Sequence, residues 1–212
     1  GFQGNGEAYM RQLSGQDATF IFMEDRAAPL HLTTLYVYDP STAPTGKVRH
    51  KQILAHVASR MHSSKVFSQK LHHVPMNLDY PYWVDDPNFE LDLHLNRIKL
   101  PDPADWKTLR DTTATVFSAS LDLRRPLWSI TFIEGLDNIS QIPKGSVAIL
   151  TKVHHVMIDG ASGVGLMGML FDKNKADSTK PKTSFFKIKK AVVYTITSTV
   201  KTFSNNFTLF FA

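Results

Sequence analysis

The sequence predicts an α/β or α+β fold, and three observations favour this class. Runs rich in β-branched and aromatic residues, typical of strands, occur at 31–40 and 146–153. Apolar residues recur with helical spacing between these runs, at 47–62 and 101–117. Apolar residues make up 42% of the 212-residue chain, which is enough to build a core. The length fits one large domain or two small ones.

The N-terminal half is predicted to alternate helix, strand and helix. Ser14 and Asp17 precede a short apolar stretch and suit the first positions of a helix. The run at 31–40 ends at an Asp-Pro pair and predicts a strand, followed by a loop at 41–46. The 47–62 segment predicts a helix, because one helical face collects Ile53, Leu54, Val57 and Met61.

The second half continues the mixture. Residues 77–95 are punctuated by proline, and the alternation at their end predicts a strand. Residues 101–117 predict a helix whose shared face comprises Trp106, Leu109, Thr113 and Val116. Strands are predicted at 126–136 and, as a central strand, at 146–153. A helix at 161–171 and a polar linker at 172–184 follow, and the last apolar segment is ambiguous between helix and strand.

Composition excludes several kinds of site. The chain has no cysteine, so disulfides, thiolate metal sites and cysteine nucleophiles are excluded. This favours a reducing, cytoplasmic setting. The polar, glycine-rich opening does not predict a signal peptide, and no apolar run approaches the roughly 18 residues of a membrane span. Because the chain does not begin with methionine, we expect it to be a fragment.

The positive charge is concentrated in the tail. Residues 172–212 contain eight lysines and two aspartates, whereas the whole chain carries a net charge of +5, so residues 1–171 are nearly neutral. A neutral body argues against nucleic-acid binding. The tail could still touch an anionic surface.

The densest candidate site is "HHVMIDG" at 154–160, where a predicted strand ends. A neutral imidazole is the best general base near pH 7, and His155 is the candidate for that role. Asp159 is close enough in sequence to brace the loop, and Gly160 suggests a tight turn or a close approach of the backbone.

Other interpretations of this stretch are weaker. A histidine is more often structural than catalytic, and the "LHHV" pair at 71–74, without aspartate or glycine behind it, predicts solvated or packing residues at His72 and His73. Zinc is improbable because no HExxH pattern is present, so no metal is expected. Ser162 does not fit GxSxG. "GVGLMG" matches GxGxxG, but it does not follow its strand directly and no acidic residue lies about 20 positions on.

Three blocks carry a family resemblance. The HHxxxDG pattern at 154–160 resembles the coenzyme A-dependent acyltransferase superfamily, which includes chloramphenicol acetyltransferase and peptide-synthetase condensation domains. "LSGQDATFIFMEDRAAPLHL" (13–32) and "LDLRRPLWSITFIEGL" (121–136) resemble blocks of the bacterial wax ester synthase/diacylglycerol acyltransferase family. The resemblance covers about residues 10–171. It implies a chloramphenicol acetyltransferase-like lobe, with a mixed sheet flanked by helices, as half of a two-lobe enzyme.

The resemblance also implies a reaction and its residues. His155 would take the proton from a fatty alcohol or diacylglycerol hydroxyl as that oxygen attacks acyl-coenzyme A, the co-substrate; no bound cofactor is expected. His154 would be less critical, Asp159 structural, and Gly160 a close-approach position. Pro126, Leu127 and Trp128 would line an acyl pocket or pack in the core, the latter being favoured slightly.

The departures define the remaining expectations. Residues 10–171 would form the N-terminal lobe, and 172–212 a basic linker that begins the connection to a missing C-terminal lobe. Ser68 and Lys70 stand where arginines are expected, so Lys70 and Arg125 are both candidates to pair with Asp159. Two alternatives stay open: a non-catalytic lipid-surface binding fragment, and a condensation-type acyltransferase with another acceptor. Peripheral association with the inner membrane face or lipid inclusions is a further expectation.

Overall fold

The computed structural model of the chain describes residues 10–24, 29–43, 46–158, 191–197 and 209–211. Within these ranges the chain forms three α-helices and nine strands. In chain order they are β1 (Arg11–Gln12), α1 (Gly15–Met23), β2 (His31–Tyr38), α2 (His50–Arg60), β3 (Gln69–His72), β4 (Tyr82–Asp85), β5 (Leu95–Lys99), α3 (Trp106–Ser118), β6 (Trp128–Glu134), β7 (Val147–His154), β8 (Ala191–Thr197) and β9 (Leu209–Phe211).

The strands form two sheets. The larger sheet has the order β5-β6-β7-β2-β8-β9, and the smaller one has the order β1-β4-β3. The β5–β6 pair is parallel, whereas the other pairs of the larger sheet are antiparallel. The fold is therefore the mixed α/β type that the sequence predicts.

Helices cover both faces of the larger sheet, which explains why all eight residues of β7 are buried. Because side chains alternate along a strand, Ile149 and Val153 join one core cluster and Ala148 and Leu150 the other. The first cluster includes Ala18 and Ile21 of α1 with Ile53 and Val57 of α2. The second includes Leu109 of α3.

The cap predicted for α1 is present, and α3 has a cap of the same kind. Ser14 caps α1, because its hydroxyl accepts a hydrogen bond from the Asp17 backbone N–H at 3.1 Å. Asp105 caps α3 in the same way, accepting from the Thr108 N–H at 2.8 Å. The predicted helical faces are confirmed as well, since Ile53 and Val57 in α2 and Leu109 and Thr113 in α3 are buried.

Two segments differ from the sequence expectation or settle it. The strand predicted at the end of 77–95 begins only at Leu95, because residues Leu91–His94 form a 3₁₀ turn first. The ambiguous C-terminal segment includes a strand, β8, which pairs with β2. The predicted 161–171 helix, the 172–184 linker and the proposed domain boundary at 171 lie outside the described residues, so that boundary stays a prediction.

Strand β7 runs through the core, and its C-terminal end lies at the candidate site. His154 is the last residue of β7, and a 3₁₀ turn over His155–Met157 follows directly. The backbone N–H of His155 donates to the Leu30 carbonyl at 3.0 Å, which ties the turn to the segment that enters β2. The architecture thus places both histidines at one end of the central strands.

Candidate functional site

His154 is completely buried and held through both ring nitrogens. Nδ1 accepts a hydrogen bond from the Val156 backbone N–H at 3.0 Å. Nε2 lies 2.9 Å from Oε2 of Glu24. A nitrogen that accepts carries no proton, so the hydrogen-bond network assigns the proton to Nε2, which donates to the carboxylate. His154 is therefore a structural anchor, and it cannot serve as a base through either nitrogen in this arrangement.

Glu24 lies just after α1 and presents a buried carboxylate to His154. Its side chain is only 7% exposed. Burial acts to raise the pKa of Glu24, but the hydrogen bond and charge interaction with His154, together with a hydrogen bond from the Leu30 backbone, outweigh it and lower the pKa. Glu24 is accordingly ionised near neutral pH.

His155 differs from His154 in its burial and in its hydrogen bonding. Its side chain is half-buried, and neither ring nitrogen hydrogen-bonds to a group within the described ranges. The Phe20 ring of α1 stacks on the imidazole, with centroids 4.7 Å apart and planes 18° apart. Burial lowers the pKa of His155, and the adjacent His154 acts in the same direction. The imidazole is thus neutral near pH 7 and has nitrogens available for a substrate.

Two buried basic side chains near the histidines donate hydrogen bonds to carbonyls at the C-terminal end of α3. His31, the cross-strand partner of His154, donates from Nε2 to the Phe117 carbonyl at 2.6 Å, and Lys152 donates to the Val116 and Ala119 carbonyls. These carbonyls belong to the helix end that lacks intrahelical partners. Burial and the nearby Lys152 lower the pKa of His31 to about 4, and burial lowers the pKa of Lys152 to about 8.

The Pro126–Leu127–Trp128 trio lies in the core. Leu127 and Trp128 are at most 1% exposed, and Pro126 is buried too. The Leu127 carbonyl accepts from the His154 N–H at 2.9 Å, and the Trp128 indole N–H donates to the Phe67 carbonyl at 2.8 Å. Pro126 and Trp128 also border a cleft of about 530 Å³ between β5, β6 and α3, which His155 does not line. The geometry favours the packing role over acyl contact.

The structure describes some of the predicted site residues and leaves two of them outside the described ranges. Asp159 and Gly160 lie outside the described residues, so their roles stay predictions. Of the two cations expected near Asp159, Lys70 pairs with Asp86 at 2.9 Å and Arg125 lies 3.7 Å from Asp122.

His72 and His73 are exposed, as predicted. The described part of the chain contains no group of three or more His, Asp or Glu arranged to hold a metal ion.

Sequence reasoning missed Phe20 and Glu24. Both stand in the "FIFME" stretch of the N-terminal block, where the sequence indicated only a helix and its cap. Their four-residue separation was the available signal, because residues at i and i+4 point to the same side of a helix. Which distant groups they meet could not be deduced from that spacing.

Comparisons with known proteins identify the family that this chain resembles. The family model described as the wax ester synthase/diacylglycerol acyltransferase catalytic domain matches residues 13–199. A putative diacylglycerol O-acyltransferase of Mycobacterium tuberculosis is 35% identical over 165 residues, which cover 78% of this chain and 32% of that protein. The chain therefore spans about a third of the length of this relative and of others at 34–36% identity.

Solved structures show the same fold. The wax ester synthase/diacylglycerol acyltransferase from Marinobacter aquaeolei VT8 aligns with a TM-score of 0.58 and 27% identity, over 74% of this chain and 35% of that chain. The first condensation domain of the calcium-dependent antibiotic synthetase aligns equally well, with a TM-score of 0.58, but at 16% identity, over 77% of this chain and 36% of that chain. The latter likeness concerns the fold alone.

Proposed function

This chain belongs to the wax ester synthase/diacylglycerol acyltransferase family, and we propose that it carries the part of an O-acyltransferase that removes the proton from the acceptor hydroxyl. The donor is a fatty acyl-coenzyme A, and the acceptor is a fatty alcohol or a diacylglycerol. The products are a wax ester or a triacylglycerol and free coenzyme A.

One observation carries this proposal: of the two adjacent histidines, only His155 has ring nitrogens without a hydrogen-bond partner among the described residues. Its neighbour is fully buried and bonded through both ring nitrogens. His155 is half-buried beside Phe20, and its lowered pKa keeps it neutral near pH 7. A general base needs this combination of a neutral ring, a fixed position and an accessible lone pair.

The reaction follows from that assignment. The unprotonated nitrogen of His155 accepts the hydroxyl proton while the hydroxyl oxygen attacks the thioester carbonyl carbon. Collapse of the tetrahedral intermediate breaks the C–S bond, and the imidazolium returns its proton to the departing thiolate. No covalent acyl-enzyme is required, because the thioester is already activated. Positioned proton transfer of this kind contributes on the order of 10²–10⁴-fold to a rate.

The other residues support this step from outside it. His154 anchors the turn, and Pro126, Leu127 and Trp128 pack beside β7 at the start of the neighbouring strand β6. We assign Asp159 a structural role and Gly160 a close approach of the backbone, in keeping with the family pattern. Since the chain spans about a third of its relatives' length, a second lobe supplies the opposite wall of the site.

We propose that the protein associates with a lipid surface, because its substrates are found there. Long-chain acceptors partition into lipid, so the protein works in the cytoplasm at the inner membrane face or at lipid inclusions. No helix within the described ranges is long and apolar enough to cross a bilayer.

The surface-binding alternative loses part of its basis in this structure. It relied on the basic tail at 172–212, yet residues 191–197 of that tail pair with β2 in the larger sheet. The condensation-type alternative shares the fold but assigns a carrier-protein arm as the donor. The two proposals differ in the acyl donor: a carrier-protein thioester in the condensation-type reaction, and acyl-coenzyme A in the leading proposal.

The test is an acyl-transfer assay on a full-length version of the protein. Palmitoyl-coenzyme A is offered with hexadecanol or dioleoylglycerol, and both ester and released thiol are measured. We expect stoichiometric ester and coenzyme A. Transfer only from a carrier-protein thioester would assign the condensation-type reaction instead.

A further inference from the structure

Glu24 and His154 are far apart in sequence, and their side chains are in contact next to the proposed base, His155. Glu24 Oε2 and His154 Nε2 are 2.9 Å apart, and the two side chains are 7% and 0% exposed. Burying a carboxylate is unfavourable unless it is paired and hydrogen-bonded. This carboxylate has a specific partner rather than a solvated surface, so its position is fixed by the fold.

The contact determines which nitrogen of His154 carries the proton. With Nε2 donating to Glu24, Nδ1 is left as an acceptor. That nitrogen accepts from the Val156 N–H at 3.0 Å and so caps the 3₁₀ turn that begins at His155. A His154 ring in the other tautomer would point an N–H at the Val156 N–H, and the cap would be lost.

The turn that the cap holds is the one that carries His155. The turn has two further backbone bonds, from His155 N–H to Leu30 O and from Ile158 N–H to His155 O, both at 3.0 Å. The His154 cap is the side-chain contribution to this set. Phe20, one helical turn before Glu24, packs on the His155 ring. The end of α1 therefore contacts both histidines.

We propose that Glu24 is a positioning residue for the acyl-transfer reaction: it fixes the Nε2–H tautomer of His154, and His154 in turn caps the backbone turn that orients His155. Glu24 touches neither substrate nor reacting atoms. The inference rests on the proposed function in that His155 is taken as the base, but the tautomer and the cap can be observed without any activity.

The experiment compares three variants of the full-length protein. Glu24→Ala removes the acceptor, whereas Glu24→Gln keeps an oxygen that can accept the Nε2–H. Glu90→Gln removes a carboxylate from an exposed position and serves as the matched control. The two ring nitrogens of His154 are followed by ¹⁵N NMR on histidine-labelled protein, with assignment by His154→Gln. Steady-state kcat and KM are measured in parallel.

We expect the parent and Glu24→Gln to show a protonated Nε2 and an unprotonated Nδ1, and Glu24→Ala to lose this pattern. A misplaced base can cost on the order of 10²-fold, so kcat of Glu24→Ala should fall about 10- to 100-fold with KM for acyl-coenzyme A changed less than about threefold. Glu24→Gln should stay within about threefold of the parent.

The inference is overturned if Glu24→Ala keeps the parental tautomer pattern, or if it keeps the parental kcat. It is also overturned if the Ala and Gln variants lose kcat equally, because the proton-accepting oxygen would then not be the relevant feature. A parent without acyl-transfer activity contradicts the proposed function instead, and the NMR comparison still decides whether Glu24 fixes His154.

Discussion

The Phe20 ring lies stacked on the imidazole of His155, with ring centroids 4.7 Å apart. This contact has two consequences for a base. It restricts the orientation of the ring, and it contributes to the burial that lowers the pKa of His155. Aromatic pairs of this kind contribute roughly 0.5–1.5 kcal/mol beyond the area they bury.

Phe20→Ala should therefore raise the pKa of His155 toward its ordinary value and reduce kcat by up to about tenfold, since the ring gains freedom. Phe22→Ala is the matched control, because Phe22 is on the same helix but is 51% exposed. A pH–rate profile of each variant provides the measurement. Indistinguishable profiles for the two variants would show that the stacking has no role.

The pH dependence of the parent enzyme is a second prediction. His155 must be neutral to accept a proton, and burial lowers its pKa below the ordinary value of about 6.5. The acid limb of kcat/KM should accordingly fall below about pH 6.5, with activity increasing as the pH rises through it. An acid limb centred at pH 7 or above would contradict the environment described for this ring.

Acid stability should depend on His31. Its pKa in the folded protein is lowered to about 4 by burial and by Lys152, against about 6.5 when unfolded. Its stabilising contribution is fully present above pH 6.5 and is lost as the pH falls toward 4, because protons then bind the unfolded chain first. The size of this contribution is at most about 3 kcal/mol.

His31→Gln removes this titration but keeps a donor for the Phe117 carbonyl. Between about pH 7 and about pH 4, the free energy of unfolding by urea should fall less in this variant than in the parent. His73→Gln, at an exposed histidine, should behave like the parent. Equal acid sensitivity of parent and His31→Gln would show that His31 does not titrate as described.

The Trp128 side chain gives a stability prediction that also tests its role. Trp128→Phe leaves the buried Phe67 carbonyl without its 2.8 Å donor and should cost about 1–3 kcal/mol in free energy of unfolding. Trp83→Phe is the control, because the buried Trp83 indole N–H has no hydrogen-bond partner among the described residues. It should cost less.

The same variants separate packing from substrate contact. If Trp128 only packs beneath the site, kcat per folded molecule should stay within about threefold of the parent. A loss of kcat without a loss of stability would assign Trp128 to the acyl pocket instead.

Local patterns predicted most of the fold, because each of these elements is specified by its own residues. The cap at Ser14 and the apolar faces of α2 and α3 are local signals, and the structure matches them. Strand β8 could not be assigned in this way. Its lysine-flanked, β-branched sequence is compatible with either period, and pairing with β2 decides the outcome.

The site divides along the same line. The position of His155 at the end of a buried strand could be predicted from the sequence around it. The roles of Glu24 and of Lys152 could not, because each depends on contacts between distant parts of the chain; Glu24 meets His154 across 130 positions. The sequence alone also did not show how the environments of the two histidines differ; the burial and hydrogen bonds of His154 distinguish them.

The most direct test of this account is the rate of ester formation by full-length His155→Ala, compared with His73→Ala, from palmitoyl-coenzyme A and hexadecanol. The account predicts a loss of about 10²–10⁴-fold in kcat for His155→Ala and a parental rate for His73→Ala. Loss of the stacking with Phe20 should lower the free energy of unfolding of His155→Ala by roughly 0.5–1.5 kcal/mol, which leaves the protein folded. Ester formation by His155→Ala at the parental rate would contradict the assignment of this imidazole as the base.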